Sequence, residues 1–406
     1  MDAGELPAFS RLTEEGVTAD LRVDQPILSP RIWTTLASGY GAGTHGIVDW
    51  VRRDGSPYRA SDIRTKRVWD VASEAQRTVL VAGWLMTTPV NPVHGVMLSD
   101  ELVLRGSLDM SRGLTPGRDP AVEQSWLLSP AERWDDVQHW IPERRWAEDH
   151  ALGWQVAEYG ELLHPLLRDE TQVRAFEASV GELQPELSML YLSGADQLAH
   201  QYWPFSDPAG VRAMQGDPGM RQRSAEALLQ QFQGKRRLPL SAQSTTADDL
   251  EEGARWMATY MVYLDSLLSR VMQRVDPHNA TLIVCSDHGF QTRVQQNQLV
   301  TDHESPAVLL AWGADVRTDN PHPQPMHELD VAPSIYALLG LPAAQDMPGT
   351  AATSMFSVQP VPPVATHTTA APLSTSGPTD HPRRQQLEAL GYIDGRGRPI
   401  SQSAPR

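Results

Sequence analysis

Apolar positions in this chain gather into compact runs separated by longer amphipathic stretches. The runs 77–86 ("RTVLVAGWLM"), 280–290 ("ATLIVCSDHGF") and 306–313 ("PAVLLAWG") read as buried strands. Each is short and apolar and bounded by polar residues, the second stopping at Ser286. The stretch 186–203 reads as a strand, a glycine break and a helical continuation, and "VTADLRV" as an extended segment. Residues 250–275 form a long amphipathic pattern, with Trp256, Tyr260, Tyr263, Leu264, Leu267, Leu268 and Val271 on one face. Phe9 and Leu12 before the Gly16 stop predict a short first helix. Residues 328–342 predict a helix capped by Asp330 and closed by Gly340 and Pro342. Strands alternating with helices predict an α/β fold, a doubly wound and mostly parallel sheet covered on both faces.

Two stretches break the alternation and set the expected domain boundaries. Residues 111–183 carry Trp126, Trp134, Trp140, Trp146 and Trp154 among many charges, with no clear strand. They read as an α-rich cap inserted into a core of residues 1–110 and 184–345, the tryptophans serving as packing anchors rather than ligand-stacking surfaces. Residues 346–406 turn rich in Pro, Thr, Ala and Ser and read as a loose tail ending in a short helix, "RRQQLEALGYI".

Composition narrows the function. The chain has 406 residues, enough for one large α/β domain with an insertion. A formal net charge of −16 argues against a nucleic-acid-binding surface, which needs clustered Lys and Arg. No apolar run approaches the roughly 20 residues that span a bilayer. The single cysteine, Cys285, rules out an intrachain disulfide framework. The polar opening "MDAGELPAFSRLTEEGV" shows no signal peptide, so the chain as written reads as cytoplasmic.

Acids and imidazoles recur just past the ends of three expected strands, where parallel sheets bind ligands. Asp196 and His200 stand four apart, so on a helix both point the same way and can share one divalent ion; alone, such a pair is usually a polar surface pair. Asp287 and His288 are adjacent, with Gly289 permitting a tight turn; the plainer reading is an Asx turn. His303 precedes the strand at 306–313, with His322 and His327 as competitors for a third imidazole. Asp196, His200 and His303 then make one metal site, and Asp287 with His288 begin a second. Two metals about 4 Å apart can clamp the attacking and leaving sides of a phosphoryl group, and a serine oxygen between them becomes a nucleophile. Ser29, in "SPRIWTTLASGYGAGTHGI", has the right type for that role; a bare Ser-Pro is otherwise a helix cap.

As a set, these residues resemble the type I phosphodiesterase/nucleotide pyrophosphatase branch of the alkaline phosphatase superfamily. Ser29, Gly39 and His45-Gly46-Ile47 stand at the offsets of that family's nucleophile motif, followed by Asp196-x-x-x-His200, Asp287-His288-Gly289 and His303. The stretch 66–100 and the closing "LEALGYI" also resemble bacterial members. The resemblance implies a hydrolase of phosphate esters, of phosphodiesterase or pyrophosphatase type, with Ser29 as nucleophile. Asp196, His200 and His303 would hold one metal and Asp287, His288 and the Ser29 oxygen another, the ions being zinc, with manganese as the alternative. It implies a small-molecule phosphate ester as substrate.

Two departures qualify this. Trp50 stands where the family places an Asn that donates to a phosphoryl oxygen, so the indole N–H is the candidate substrate donor. The family also has a strand ahead of the helix at Gly4–Gly16, ending in an Asp of the second metal site, whereas Met1 here precedes that helix directly. Asp2 is on the wrong side of the helix to replace it, and Asp20 and Asp24 are the remaining substitutes. A start codon placed too far downstream would account for this and would also hide any signal peptide; with such a peptide upstream the protein would be periplasmic or secreted. The rival functions are an impaired relative that binds a phosphorylated ligand or partner, and a phosphomutase-type transferase on the same fold. A sulfatase is not among them, since "SPRIW" does not fit C/S-x-P-x-R.

Overall fold

The computed structural model describes residues 6–104, 107–108, 163–217, 219–220, 223–224, 247–320, 323–369, 387 and 393. Trp126, Trp134, Trp140, Trp146, Trp154, His322 and most of the expected C-terminal helix lie outside them.

Helix α1 (Pro7–Glu15) starts with a proline, whose missing N–H costs nothing at that position, and buries Ala8 and Leu12. Strand β1 (Val17–Arg22) alternates strictly, Val17, Ala19 and Leu21 inward and Asp20 outward. Helix α2 (Ser29–Ser38) stops at Gly39, whose φ of +76° suits glycine as a left-handed C-cap. Helices α3 (Ala42–His45) and α4 (Val68–Glu74) lead to strands β2 (Val79–Ala82) and β3 (Gly95–Leu98). A small pair follows, β4 (Val103–Leu104) and β5 (Ser107–Leu108). Then come helix α5 (Leu163–Leu183), strand β6 (Leu187–Leu190), helices α6 (Gly194–Ser206) and α7 (Pro208–Gly216), and the long helix α8 (Ala247–Arg274). Strands β7 (Thr281–Cys285), β8 (Gly289–Gln295), β9 (Gln298–Glu304), β10 (Ala307–Gly313) and β11 (Met326–His327) precede helix α9 (Val331–Leu338).

The fold is α/β. Among the described residues one sheet is wholly parallel, in the order β3-β2-β6; a second, β11-β1-β10-β7, is mixed, with β10 antiparallel to both neighbours. The largest apolar cluster joins β1, α2, β2, β10 and α9, and a second joins α5, α6 and α8 through Leu166, Leu198, Tyr260, Tyr263 and Leu267. No described helix is long and apolar enough to cross a membrane.

Several expectations change. The run at 77–86 is a strand only to Ala82, because Gly83 turns the chain at φ +70°. Strand β7 is half-buried rather than buried. Asp330 makes no side-chain cap to α9; its carboxylate instead accepts the backbone N–H groups of His327 and Thr350. Residues 346–369, expected as loose tail, pack on the core: Met355 and Phe356 are buried, and bridges join Val316 to Phe356 and Thr65 to Thr368.

Candidate metal centre

Local structure delivers each side chain to one place. Asp196 lies in the first turn of α6, directly after β6, and His200 follows one helical turn later. Asp287 and His288 sit in the turn leaving β7. His303 comes from β9, the return strand of a hairpin in which it pairs with Phe290. Ser29 opens α2 and is almost fully buried.

These side chains converge. His200 Nε2 is 3.4 Å from Asp196 Oδ1 and 3.2 Å from His303 Nε2. His288 Nε2 is 3.5 Å from Asp196 Oδ1, from Asp287 Oδ2 and from Ser29 Oγ alike. The His288 and His303 rings stack with centroids 3.7 Å apart. The two expected sets therefore interlock at His288. Asp196, His288 and His303 bring one ligand atom each within 4.8 Å of one another and could hold a metal ion.

Backbone carbonyls set the tautomers. His303 Nδ1 faces the Ile27 carbonyl at 3.2 Å and His288 Nδ1 the Gly289 carbonyl at 3.2 Å. A carbonyl only accepts, so in both rings Nδ1 carries the proton and Nε2 offers a lone pair to the centre, as metal-ligating histidines do. Electrostatics agrees. Burial, then the repulsion that protonated His288 and His200 would exert, lowers His303 to about 3. Burial alone would raise Asp196, but His200, His288 and His303 outweigh it and hold the carboxylate well below its usual range. Burial raises Asp287, the Asp196 charge adding to it and His288 opposing it. Asp287 Oδ2 is buried and makes no hydrogen bond. A buried carboxylate oxygen without a hydrogen bond is costly, and three imidazoles beside two carboxylates are a donor set that suits zinc.

Ser29 is not a cap. The N-cap of α2 is Leu28, with no side-chain bond, so the Ser29 hydroxyl faces His288 at the positive end of the helix. Arg31 steadies the approach to it: its guanidinium pairs with Glu328 at 2.7 Å and donates to the Pro26 and Asp24 carbonyls. Periodicity gave no sign of this pair, since Arg31 lies on a helix buried on all sides.

Asp20, Asp24 and His327 go elsewhere. Asp20 faces outward on β1, and Asp24 pairs with His327 Nε2 at 3.1 Å, which also removes His327 as a third imidazole. Trp50 is buried in the main core cluster. His45 is a fully buried clamp: its Nδ1 accepts the Ile47 N–H, and its Nε2 lies 3.2 Å from Thr35 Oγ1.

No curated protein matches the chain by sequence. Among solved structures, phosphonoacetate hydrolase from Sinorhizobium meliloti 1021, bound to phosphonoformate, is similar at 15% identity and a TM-score of 0.41. That match covers 73% of this chain and 53% of the other. Phosphonate monoester hydrolase from Silicibacter pomeroyi is similar at 13% identity and a TM-score of 0.42, over 87% of this chain and 72% of that one. The chain thus spans about half the length of the first relative. The description of the type I phosphodiesterase / nucleotide pyrophosphatase family matches residues 1–323, a span that holds Ser29 and all five converging acids and imidazoles, and the chain belongs to that family.

Proposed function

We propose that the protein is a metal-dependent hydrolase of phosphate esters, of phosphodiesterase or pyrophosphatase type, with Ser29 as its nucleophile. The observation that carries this is the Ser29 hydroxyl, buried at the start of α2 and 3.5 Å from His288 Nε2, beside two carboxylates and three imidazoles. Asp196, His200 and His303 would hold one divalent ion and Asp287, His288 and Ser29 Oγ a second, zinc being favoured by the imidazole-rich donors. Bound there, the ions would supply Lewis-acid stabilisation of phosphoryl oxygens and make the Ser29 hydroxyl more acidic.

The chain's own part is positional. Arg31 and Glu328 hold the loop into α2, and α2 aims its positive end at the oxygen that attacks. Ser29 Oγ forms the bond to phosphorus as the bond to the leaving alcohol breaks; water then cleaves the phosphoseryl ester and restores the hydroxyl. The bulk of Trp50, packed in the core where the family has an Asn, makes nucleotide diesters poor substrates on this reading.

The test uses the zinc- or manganese-loaded protein with p-nitrophenyl phosphate and bis-p-nitrophenyl phosphate. Turnover should fall by at least about 1,000-fold in Ser29→Ala, as when the nucleophile of a covalent mechanism is removed. Metal binding without turnover in the wild-type protein would instead favour the ligand-binding relative. Transfer of phosphate to an added alcohol rather than to water would favour the phosphomutase type.

A further inference from the structure

Helix α6 carries Asp196 and His200 but does not cap itself. Its N-cap, Ser193, takes no backbone N–H of the helix on its side chain, and its hydroxyl accepts from the Gln197 side chain one turn on instead. The first N–H groups of a helix need partners. Here they come from another helix: Asp169 of α5 accepts the Ser193 N–H on Oδ1 at 3.0 Å and the Gly194 N–H on Oδ2 at 3.1 Å. The Tyr260 hydroxyl of α8 donates to the same Oδ2.

Asp169 and Tyr260 are both 0% exposed. The contact also dictates Gly194, where a Cβ would lie 2.2 Å from the Tyr260 hydroxyl oxygen. A buried carboxylate is costly even when well paired, and this one clamps the turn two residues before Asp196.

Asp265 supplies the comparison. It is also buried, and its carboxylate accepts the Ala8 and Phe9 N–H groups at the start of α1, a helix with no residue in the metal centre. The same device thus occurs both under the site and away from it.

We propose that Asp169 and Tyr260 are positioning residues of the metal centre: by capping α6 from outside, they fix where Asp196 and His200 point. This rests on the metal-binding half of the proposed function and not on the reaction.

The test is zinc affinity, measured on the full chain by competition with a chelating dye, beside the thermal unfolding of each metal-free variant. Asp169→Asn should weaken zinc by about 10-fold, the low end of the loss for a group bonded directly to a ligand, because Asp169 acts through the backbone of the helix that carries the ligands. Tyr260→Phe should weaken it in the same direction by a smaller factor, and it decides the matter if Asp169→Asn does not fold. Asp265→Asn should lower the unfolding temperature but leave zinc affinity unchanged. Two results would overturn the inference: wild-type affinity in Tyr260→Phe and in any folded Asp169→Asn, or an equal loss in Asp265→Asn, which would make the cap merely structural. A wild-type protein that binds no zinc would sink it too, but through the metal reading, and the wild-type arm alone would show that.

Discussion

His45 shows how much a single side chain decides, and how little of it periodicity reveals. Nδ1 accepts from the Ile47 N–H, so Nε2 carries the proton and donates to Thr35 Oγ1, whose own proton goes to the Arg31 carbonyl. A second ring proton would have to enter against the Ile47 N–H. Burial first, then the Arg31 and Arg64 charges, lowers His45 to about 3. The unfolded chain therefore binds this proton more tightly than the folded one, and stability is complete above the ordinary 6.5 and is lost as pH falls toward about 3. Between about pH 7.5 and pH 5 this group alone should cost roughly 2 kcal/mol. Urea unfolding at the two values should show a loss larger by about that amount in the wild type than in His45→Gln, His303 contributing to both; an equal acid slope in the variant would refute it. The His45-Gly46-Ile47 motif was legible in the sequence, while its clamp role needed coordinates. Asp169 was not legible at all. It sits in Arg168-Asp169-Glu170-Thr171-Gln172, five consecutive polar residues that are all buried, and polar runs of that kind read as solvated surface.

Elements divide the same way. The apolar runs at 281–285 and 307–313 and the amphipathic face of α8 were legible, because burying one face or both leaves its period in the sequence. The hairpin of β8 and β9 was not. Its outer end, from Arg293 to Asn297, is exposed and, Val294 apart, polar, and its turn signal is Gln296-Asn297, both at positive φ. Missing it hid the reason His303 meets His288. The antiparallel direction of β10 was equally silent, since a buried run reads alike in both directions. At this scale the loop into α2 makes a prediction. Arg31 and Glu328 are both buried, and Glu328 also accepts the Asp24 N–H. Glu328→Ala would leave the guanidinium buried without its counter-charge, at a cost of about 3–5 kcal/mol by chemical denaturation. An Arg31→Met, Glu328→Leu double variant should recover much of that loss. If it stays as unstable as Glu328→Ala, the cost is lost packing rather than an unpaired charge.

Charge belongs to the whole molecule. The chain carries a formal net charge of −16, and on the proposed reading its substrate is an anion that must reach a centre holding two carboxylates. Long-range repulsion should then slow capture, leaving attraction to the loaded centre itself, which acts only at short range. Added salt separates the two effects by distance. The screening length is about 30 Å at 0.01 M and about 8 Å at 0.15 M, so salt removes the field of the surface before it touches contacts inside the site. For the metal-loaded protein, kcat/KM toward an anionic phosphodiester should therefore rise severalfold between those salt concentrations, with kcat little changed. Most charge-steered enzymes show the opposite sign, because their entrances match their substrates. A kcat/KM that falls with salt would place a positive local field over the centre, and the net charge would then be a property of distant surfaces that the substrate never meets.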